Sequence, residues 1–314
     1  MTQFNIAIPS KGRLKDKSEE WLLSSGFKLS QKGGGRGYTA ELDGLPEANV
    51  MLLSAREIAE ELIRGNLHVG VTGQDLVHDL SADVARDVHV IKPLGFGGAD
   101  VIVAVPAAWL DVDTMADLEA AGALFRERHG RRMRVATKYL RLTRRFFADK
   151  SVGEYRLIES AGATEAAPAA GSAEVIVDIT STGATLKANG LKILSDGVIL
   201  KSQAALIGSR QAVWDEPATD VLRKLIDGVE ASSNAKKLSR LEPTGSIPDD
   251  LAAQLGLRLL ATGSALCPTQ NASKACRELV TQGLGPVAIT TVKHVYGFDS
   301  DVFQEIIASL SQTA

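Results

Sequence analysis

Residues 178–185 combine a carboxylate, several hydroxyls and a glycine in an order that suits a sugar phosphate. The preceding run, residues 175–177, is continuously apolar, which is typical of a strand buried on both faces, and Asp178 ends it. At the start of a predicted helix, unpaired N–H donors and the helix dipole favour an anion. The residues that would supply those donors and hydroxyls are Thr180, Ser181, Thr182, Gly183, Ala184 and Thr185. We therefore expect a 5′-phosphate in this loop and ribose hydroxyls at Asp178, although an ordinary Ser/Thr-capped helix gives a similar pattern.

Cations stand near three other turns of the chain. Lys11 and Arg13 flank a glycine after the predicted strand at residues 4–9, which suits a polyanion. Arg56 lies in the first turn of a helix opened by a predicted capping box at residues 54–57, where a cation opposes the helix dipole unless an anion joins it. Arg36 belongs to the glycine-dense loop 33–38. A solvated basic turn at Lys11 and a surface hairpin around Arg36 remain open interpretations.

Strands and helices alternate along the chain, and they position these residues. Four predicted strands end in Ser10, Ser54, Thr72 and Thr180, each just before a predicted helix. In an open α/β sheet, ligands bind at the carboxyl ends of strands. The alternation predicts an α/β fold with mainly parallel sheets and right-handed crossovers.

Composition excludes several classes of protein. The 314 residues suggest two or three domains, and 45% apolar with 23% charged residues is ordinary for a globular protein. A net charge of −3 provides no field for nucleic acid or an anionic membrane. Cys267, Cys276 and the five histidines show no metal-binding spacing, so we expect no dedicated metal ligands. The first residues lack the basic region of a secretory signal, and the apolar run 101–110 is too short for a membrane span, so we expect a cytoplasmic protein.

The last eighty or so residues form a segment of their own. A helix is predicted over 215–231, and the polar run 232–237 is predicted to be a linker. Helical patterns follow at 249–255, 269–282 and 299–310, with a strand at 287–295. We expect residues 231–314 to form a small α/β domain with a regulatory or oligomerisation role.

Five strings between about residues 6 and 212 together resemble the ATP phosphoribosyltransferases. They are residues 9–14 (PSKGRL), 70–75 (GVTGQD), 136–139 (ATKY), 159–168 (ESAGATEAAP) and 178–191 (DITSTGATLKANGL). The resemblance implies a two-lobed catalytic core like a periplasmic binding protein, with lobe I at 1–98 and 190–230 and lobe II, which carries the phosphoribosyl pyrophosphate (PRPP) loop, at 99–189. It also implies transfer of the phosphoribosyl group of PRPP to N1 of ATP, with release of pyrophosphate in the presence of Mg²⁺.

The resemblance also implies roles for particular residues. Lys11, Arg13, Arg36 and Arg56 would gather on the pyrophosphate and ATP phosphates, and Asp178 with residues 180–185 would hold the ribose 5-phosphate of PRPP. The expected ATP contacts are Gly73, Asp75, Lys138, Thr164 and Glu165. Glu165 either contacts adenine or caps its helix. Mg²⁺ would be held through the substrate phosphates. Adenine N1 carries no proton in neutral ATP, so no general base is required, and catalysis would depend on positioning and on stabilising the leaving pyrophosphate.

Two alternatives and two regulatory schemes stay open. A salvage-type phosphoribosyltransferase usually has two adjacent acids in its loop, whereas Ile179 follows Asp178 here. A non-catalytic solute-binding protein would share the two-lobed fold. Long-form members of the family end in an ACT-like domain that binds L-histidine as feedback inhibitor, and short-form members pair with a subunit resembling histidyl-tRNA synthetase. The core looks more like the short form, a β-α-β-β-α-β order is not evident in the tail, and a homo-oligomer is expected.

Overall fold

The computed structural model describes residues 3–31, 39–160, 162–297 and 302–311. The loop that carries Arg36 lies outside the described residues. The chain divides into a larger compact unit, made of Asn5–Lys17, Met51–Val213 and Ala308–Ala314, and a smaller one, made of Met1–Phe4, Ser18–Val50 and Trp214–Ile307. The lobe boundaries expected from the sequence follow a different division and stay a prediction.

The described elements alternate between strands and helices for most of the chain. Up to residue 93 they are β1 (Phe4–Pro9), α1 (Gly12–Ser24), β2 (Lys28–Gln31), β3 (Thr39–Asp43), β4 (Ala48–Leu53), α2 (Ala55–Arg64), β5 (Val69–Gly73), α3 (Gln74–Leu80), α4 (Val84–Asp87) and β6 (Val88–Pro93). Up to residue 209 they are β7 (Ala99–Pro106), α5 (Met115–His129), β8 (Met133–Thr137), α6 (Leu140–Asp149), β9 (Tyr155–Glu159), a 3₁₀ turn (Thr164–Ala166), β10 (Val175–Thr180), α7 (Ala184–Ala188), β11 (Leu191–Ser202) and β12 (Ala204–Ser209). The remainder are α8 (Glu216–Ala235), β13 (Leu238–Glu242), α9 (Asp249–Leu255), β14 (Arg258–Leu259), β15 (Ala265–Pro268), a 3₁₀ turn (Thr269–Asn271), α10 (Ala272–Thr281), β16 (Ala288–Thr291) and α11 (Val302–Ser311).

Two sheets organise the larger unit. One contains the neighbours β4-β1-β5-β12-β6, and the other has the order β11-β7-β10-β8-β9. Pairs separated by helical crossovers, β1–β5, β8–β9 and β8–β10, are parallel. Strands β7, β11 and β12 pair antiparallel with their neighbours, so both sheets are mixed. The predicted α/β class is confirmed, and each sheet has a parallel part, β1–β5 in one and β10–β8–β9 in the other.

The run after Glu174 is buried on both faces, as the sequence predicts. Val175 and Val177 pack into one core beside Val101 and Val103, while Ile176 points into a second core on the other face of the sheet. The apolar run stops at Asp178, and the strand itself ends at Thr180, as predicted. β10 continues to Thr180, because Asp178, Ile179 and Thr180 keep antiparallel register with residues 102, 101 and 100 of β7.

The C-terminal segment has a definite topology. Its elements β13, α9, β14, β15, α10 and β16 follow the order β-α-β-β-α-β, and the strands form the sheet β14-β15-β13-β16 with antiparallel pairs throughout. This is the split β-α-β arrangement. The sequence indicates the helices but not this order, because the strands are two to five residues long and offer little periodicity.

The predicted linker at residues 232–237 is wrong over most of its length. Helix α8 continues through Ser232 to Ala235, beyond the predicted end at residue 231. Ala231, Ser232 and Ala235 are buried. These small residues let the last turns of the helix pack closely, and that burial outweighs the weak helix preference of the Ser-Ser-Asn run.

Candidate active site

A cavity of about 590 Å³ opens in the larger unit where several strands end or begin. Gly73 closes β5, Thr180 closes β10, and Ala99 and Ala204 begin β7 and β12. Helix starts contribute Arg13, Ala55 and Asp75. The full lining is Arg13, Leu14, Lys17, Ala55, Gly73, Asp75, Leu76, Phe96, Gly97, Gly98, Ala99, Lys138, Tyr139, Ile179, Thr180, Ser181 and Ala204.

The cavity gathers part of the set that the sequence predicts. Its lining includes the predicted residues Arg13, Gly73, Asp75, Lys138, Thr180 and Ser181. The predicted residues that are described but do not line it are Lys11, Arg56, Thr164, Glu165, Asp178, Thr182, Gly183, Ala184 and Thr185. The roles of both groups stay predictions.

In the predicted phosphate loop, threonine hydroxyls accept hydrogen bonds from the backbone N–H groups of the same loop. The Gly183 N–H donates to Thr180 Oγ1 at 2.9 Å, and the Ala184 N–H donates to Thr182 Oγ1 at 3.3 Å. Gly183 has φ +70°, a left-handed conformation that favours glycine. A phosphate that uses these N–H groups must displace the two hydroxyls, which can then donate their own protons to it. The loop is therefore a self-bonded turn, and α7 behind it has only five residues.

Asp178 forms an ion pair across the carboxyl ends of two neighbouring strands. Its Oδ1 lies 3.6 Å from Nζ of Lys138, which follows β8, and also accepts from the Ile179 N–H at 2.8 Å. The Lys138 ammonium stands 5.2 Å from the centroid of the Tyr139 ring. Lys138, which is predicted to contact ATP, thus pairs with Asp178, which is predicted to bind the ribose hydroxyls.

Asp75 is buried, and both of its carboxylate oxygens accept hydrogen bonds. Tyr139 Oη donates to its Oδ2 at 2.7 Å, Ser202 Oγ donates to its Oδ1 at 2.7 Å, and the Asp75 N–H donates to Ser202 Oγ at 3.0 Å. A Cβ at Gly73 would collide with Oδ1 of Asp75, so the glycine leaves room for the carboxylate. Burial, reinforced by the charge of Asp75, raises the pKa of the Tyr139 phenol, which keeps it a donor.

Tyr139 and Ser202 are the residues of this network for which no role was predicted from the sequence. Tyr139 belongs to the 136–139 string that carries the family resemblance, so the string was a usable signal. Ser202 is 127 residues from Asp75. No local pattern distinguishes it from any other serine at the end of a strand.

Arg56 occupies the helix start that the sequence predicts. The capping box is confirmed: Ser54 Oγ accepts from the Glu57 N–H at 3.2 Å, and Glu57 Oε2 accepts from the Ser54 N–H at 2.8 Å. Arg56 Nε lies 3.3 Å from Glu60 Oε1, and its side chain is half exposed. The hydrogen bond from Ser54 lowers the pKa of Glu57, and the charge of Lys11 adds to this effect, so Lys11 acts on the same helix start.

Thr164 and Glu165 lie in the 3₁₀ turn Thr164–Ala166. Thr164 is buried, and its hydroxyl lies 3.0 Å from both Ser160 Oγ and the Gly162 carbonyl oxygen. The N-cap residue is Ala163, and Glu165 lies in the first turn, so its capping role stays a prediction. Its contact with adenine stays a prediction.

No group of three or more His, Cys, Asp or Glu side chains that could hold a metal ion occurs among the described residues. Within the same residues, no helix combines the length and apolar character needed to cross a membrane.

Comparison with known proteins gives consistent matches. The model of the ATP phosphoribosyltransferase family (HisG) matches residues 54–231. The chain is 50% identical over 315 residues to the ATP phosphoribosyltransferase of Caulobacter vibrioides strain NA1000, with 98% of each protein covered. It is 44% identical over 321 residues to that of Rhodopseudomonas palustris strain HaA2, covering 98% of this chain and 99% of the relative. A structure of the ATP phosphoribosyl transferase (HisG:HisZ) complex from Thermotoga maritima shares the fold, with a TM-score of 0.55 and 24% identity over 74% of this chain and 100% of that chain.

Proposed function

The chain belongs to the ATP phosphoribosyltransferase family, and we propose that the cavity beside Asp75 and Tyr139 is its substrate-binding site. The enzyme transfers the 5-phosphoribosyl group from PRPP to N1 of ATP, giving N1-(5-phosphoribosyl)-ATP and pyrophosphate, the first step of L-histidine biosynthesis. One observation carries the site assignment: three cations, Arg13, Lys17 and Lys138, line one cavity at strand ends together with the hydroxyl side chains of Thr180 and Ser181.

The proposed binding residues fall into two sets, one for the ribose 5-phosphate and one for the pyrophosphate and ATP phosphates. Thr180 to Thr185 supply hydroxyls and N–H groups for the ribose 5-phosphate, and Asp178 accepts from the ribose hydroxyls. Lys11, Arg13 and Arg56 supply positive charge for pyrophosphate and the ATP phosphates, with the arginines offering bidentate donors. Adenine N1 attacks C1 of the ribose as pyrophosphate leaves. The protein contributes orientation and stabilisation of the charge that develops on the leaving group.

The reaction depends on a metal ion, and we assign it as Mg²⁺ bound to the substrate phosphates. Mg²⁺ keeps most of its ligands as waters and phosphate oxygens and needs one or two protein carboxylates at most. When bound, it neutralises charge on the phosphates.

A direct assay tests both the activity and the site. Protein mixed with ATP, PRPP and Mg²⁺ should form the ultraviolet-absorbing N1-phosphoribosyl adduct. The salvage-type and solute-binding alternatives are not favoured by the comparisons. Turnover of a free base with PRPP and no adduct would support the salvage reaction, and ligand binding with no turnover would support a binding protein. For the site, replacing Thr180 with Val and Ser181 with Ala should raise the KM for PRPP more than the KM for ATP.

L-Histidine is the proposed feedback inhibitor, bound in the C-terminal domain. A polar cavity of about 370 Å³ there is lined by Arg240, Glu242 and two Thr-Gly-Ser sequences at 244–246 and 262–264. Arg240 Nε donates to Ser264 Oγ at 3.0 Å and lies 3.2 Å from Glu242 Oε1. Both contacts use Nε, which leaves the two terminal nitrogens able to grip a carboxylate, while Glu242 can receive an ammonium. An amino acid fits this pair of charges.

The assembly and location are also proposals. The β-α-β-β-α-β order of residues 238–291 supports a long-form, self-contained regulatory domain. We retain a homo-oligomer and a histidyl-tRNA-synthetase-like subunit as proposed partners, and size-exclusion chromatography with light scattering, with and without such a subunit, distinguishes them. The two free cysteines and the biosynthetic reaction support a cytoplasmic location.

A further inference from the structure

Lys138 is expected from the sequence to contact ATP, but its ion pair with Asp178 and its position beside the Tyr139 ring point to the PRPP side of the site instead. We propose that Tyr139 is a positioning residue that holds Lys138 beside Asp178, and that Lys138 moves from Asp178 to an anionic group of PRPP when the substrate binds. The inference rests on the proposed assignment of Asp178 and the 180–185 loop to PRPP.

The Tyr139 side chain is immobilised at both ends. Its backbone N–H donates to Thr137 Oγ1 at 2.9 Å, and its carbonyl accepts from Thr143 Oγ1 at 2.6 Å. Its hydroxyl donates to Asp75 Oδ2 at 2.7 Å, and the residue is only 1% exposed. Buried groups with all these bonds made have one orientation, so the ring is a rigid platform.

Lys138 is more exposed than Tyr139, and its ammonium lies over the Tyr139 ring. Its Nζ is 5.2 Å from the ring centroid, within the range of a cation–π contact. The side chain is 45% exposed and lines the cavity. Its distance of 3.6 Å to Asp178 Oδ1 is longer than a strong charge-assisted hydrogen bond. A flexible stem with three ammonium donors can therefore turn from Asp178 to an incoming anion without leaving the ring.

The exchange solves an electrostatic conflict at Asp178. Asp178 must accept from the ribose hydroxyls, yet its negative charge repels the phosphate groups of the same substrate. Lys138 neutralises the carboxylate in the free site. When ribose hydroxyls take over the Asp178 oxygens, the ammonium becomes available to a PRPP phosphate a few ångströms away. The pair thus recognises a ligand that carries a diol and an anion together, which PRPP has on a single ribose.

The competing explanation is a solvent-exposed ion pair with no part in binding, which typically contributes little. Substitutions at Lys138 and Tyr139 separate the two. Lys138→Met removes the charge and keeps most of the stem, and Lys138→Arg keeps the charge. Tyr139→Phe removes only the bond to Asp75 and keeps the ring. Ser202→Ala removes the other hydroxyl that donates to Asp75, outside the cavity lining, and so controls for a loss of stability alone.

The experiment measures the Kd of PRPP by calorimetry on the full chain, together with the separate KM values for PRPP and ATP. Lys138→Met should weaken PRPP binding by about tenfold or more, the size expected for a hydrogen bond to a charged group, with the KM for ATP changed less than about twofold. Lys138→Arg should restore most of the loss. Tyr139→Phe should weaken PRPP binding by several-fold, whereas Ser202→Ala should lower the melting temperature and leave the Kd of PRPP within about twofold.

The double variant Lys138→Met/Tyr139→Phe decides whether Tyr139 acts through Lys138. If it does, the double variant binds PRPP no worse than Lys138→Met alone. Additive losses would overturn the positioning role, and an unchanged Kd of PRPP in Lys138→Met would overturn the exchange. Either result, obtained while the wild-type chain forms the adduct, contradicts this inference alone. Failure of the wild type to form the adduct would instead contradict the activity.

Discussion

Glu174 accepts three hydrogen bonds from Arg134: Oε1 accepts from Nη2 at 2.7 Å, and Oε2 accepts from the backbone N–H at 2.7 Å and from Nε at 3.3 Å. Arg131 adds two further bonds, at 3.0 and 3.1 Å. Because Glu174 immediately precedes β10 and Arg134 lies in β8, this cluster fastens the start of the strand that leads to Asp178.

The cluster predicts a pH dependence of stability. Burial alone would raise the pKa of Glu174, but the hydrogen bonds from Arg131 and Arg134 lower it from about 4.5 to about 2. The folded state thus binds the proton less readily than the unfolded state, so the stabilisation is complete above about pH 4.5 and is lost as the pH falls toward 2. Glu174→Gln should reduce the free energy of unfolding by about 1–2 kcal/mol at pH 7 and flatten its decline between pH 5 and 3, measured by urea denaturation.

Glu154→Gln is the matched control for this prediction. Glu154 also pairs with two arginines, Arg126 and Arg132, but its side chain is more exposed than that of Glu174. We expect a smaller loss of stability, because solvent screens exposed pairs. A wild-type profile that does not steepen below pH 4.5 would contradict the assignment to Glu174.

Arg56→Ala should lower kcat by about a hundredfold, which corresponds to about 3 kcal/mol of transition-state stabilisation, while the KM for ATP changes little. The reason is that a cation at this helix start opposes the helix dipole until the pyrophosphate charge joins it. Steady-state kinetics check this. Arg64→Ala serves as control, since Arg64 forms a similar pair with Glu61 at the other end of α2 and should leave kcat unchanged. Equal effects of Arg56→Ala on ATP binding and turnover would eliminate the transition-state role.

Gly183→Ala should weaken PRPP binding although nothing lies within 4 Å of the added Cβ. The cost is conformational: Gly183 has φ +70°, where an alanine is disfavoured by about 1–2 kcal/mol. We expect a rise of about fivefold or more in the Kd of PRPP, measured by calorimetry, and a small fall in melting temperature. Gly153→Ala also meets open space but without positive φ, and its Kd should match wild type. Identical affinities in both variants would show that the loop geometry is not used.

Arg240→Gln should abolish inhibition by L-histidine and preserve turnover in its absence. The terminal nitrogens of Arg240 would lose the carboxylate they are proposed to hold, and a neutral side chain forms no charge-assisted bidentate pair. The measurement is the histidine concentration that halves the initial rate, which should rise at least tenfold. Arg277→Gln, at an exposed arginine of α10, is the control. Undiminished inhibition of the Arg240 variant would place the histidine site elsewhere.

Local features were predictable from the sequence because they depend on neighbours in the chain. The buried strand at 175–177, the capping box at residues 54–57 and helix α9 at Asp249–Leu255 each follow from spacing within a single element. The sequence strings also sufficed to indicate the family. The prediction of a polar linker at 232–237 was wrong because it depended on tertiary packing: composition does not show that Ser232 and Ala235 are buried.

By itself, the sequence determined the α/β class, the ends of several elements and the reaction. Only the tertiary structure decided which side chains meet across 40 to 127 residues of chain. Lys138 meets Asp178 because β8 and β10 pair in parallel, whereas Asp75 follows a strand of one sheet and meets Tyr139 and Ser202 at strand ends of the other sheet. The same holds for the order β14-β15-β13-β16. Helix caps and hydrophobic periodicity depend on residues that are close in the sequence. A site assembled from different strands depends instead on contacts between distant residues, which no local pattern specifies.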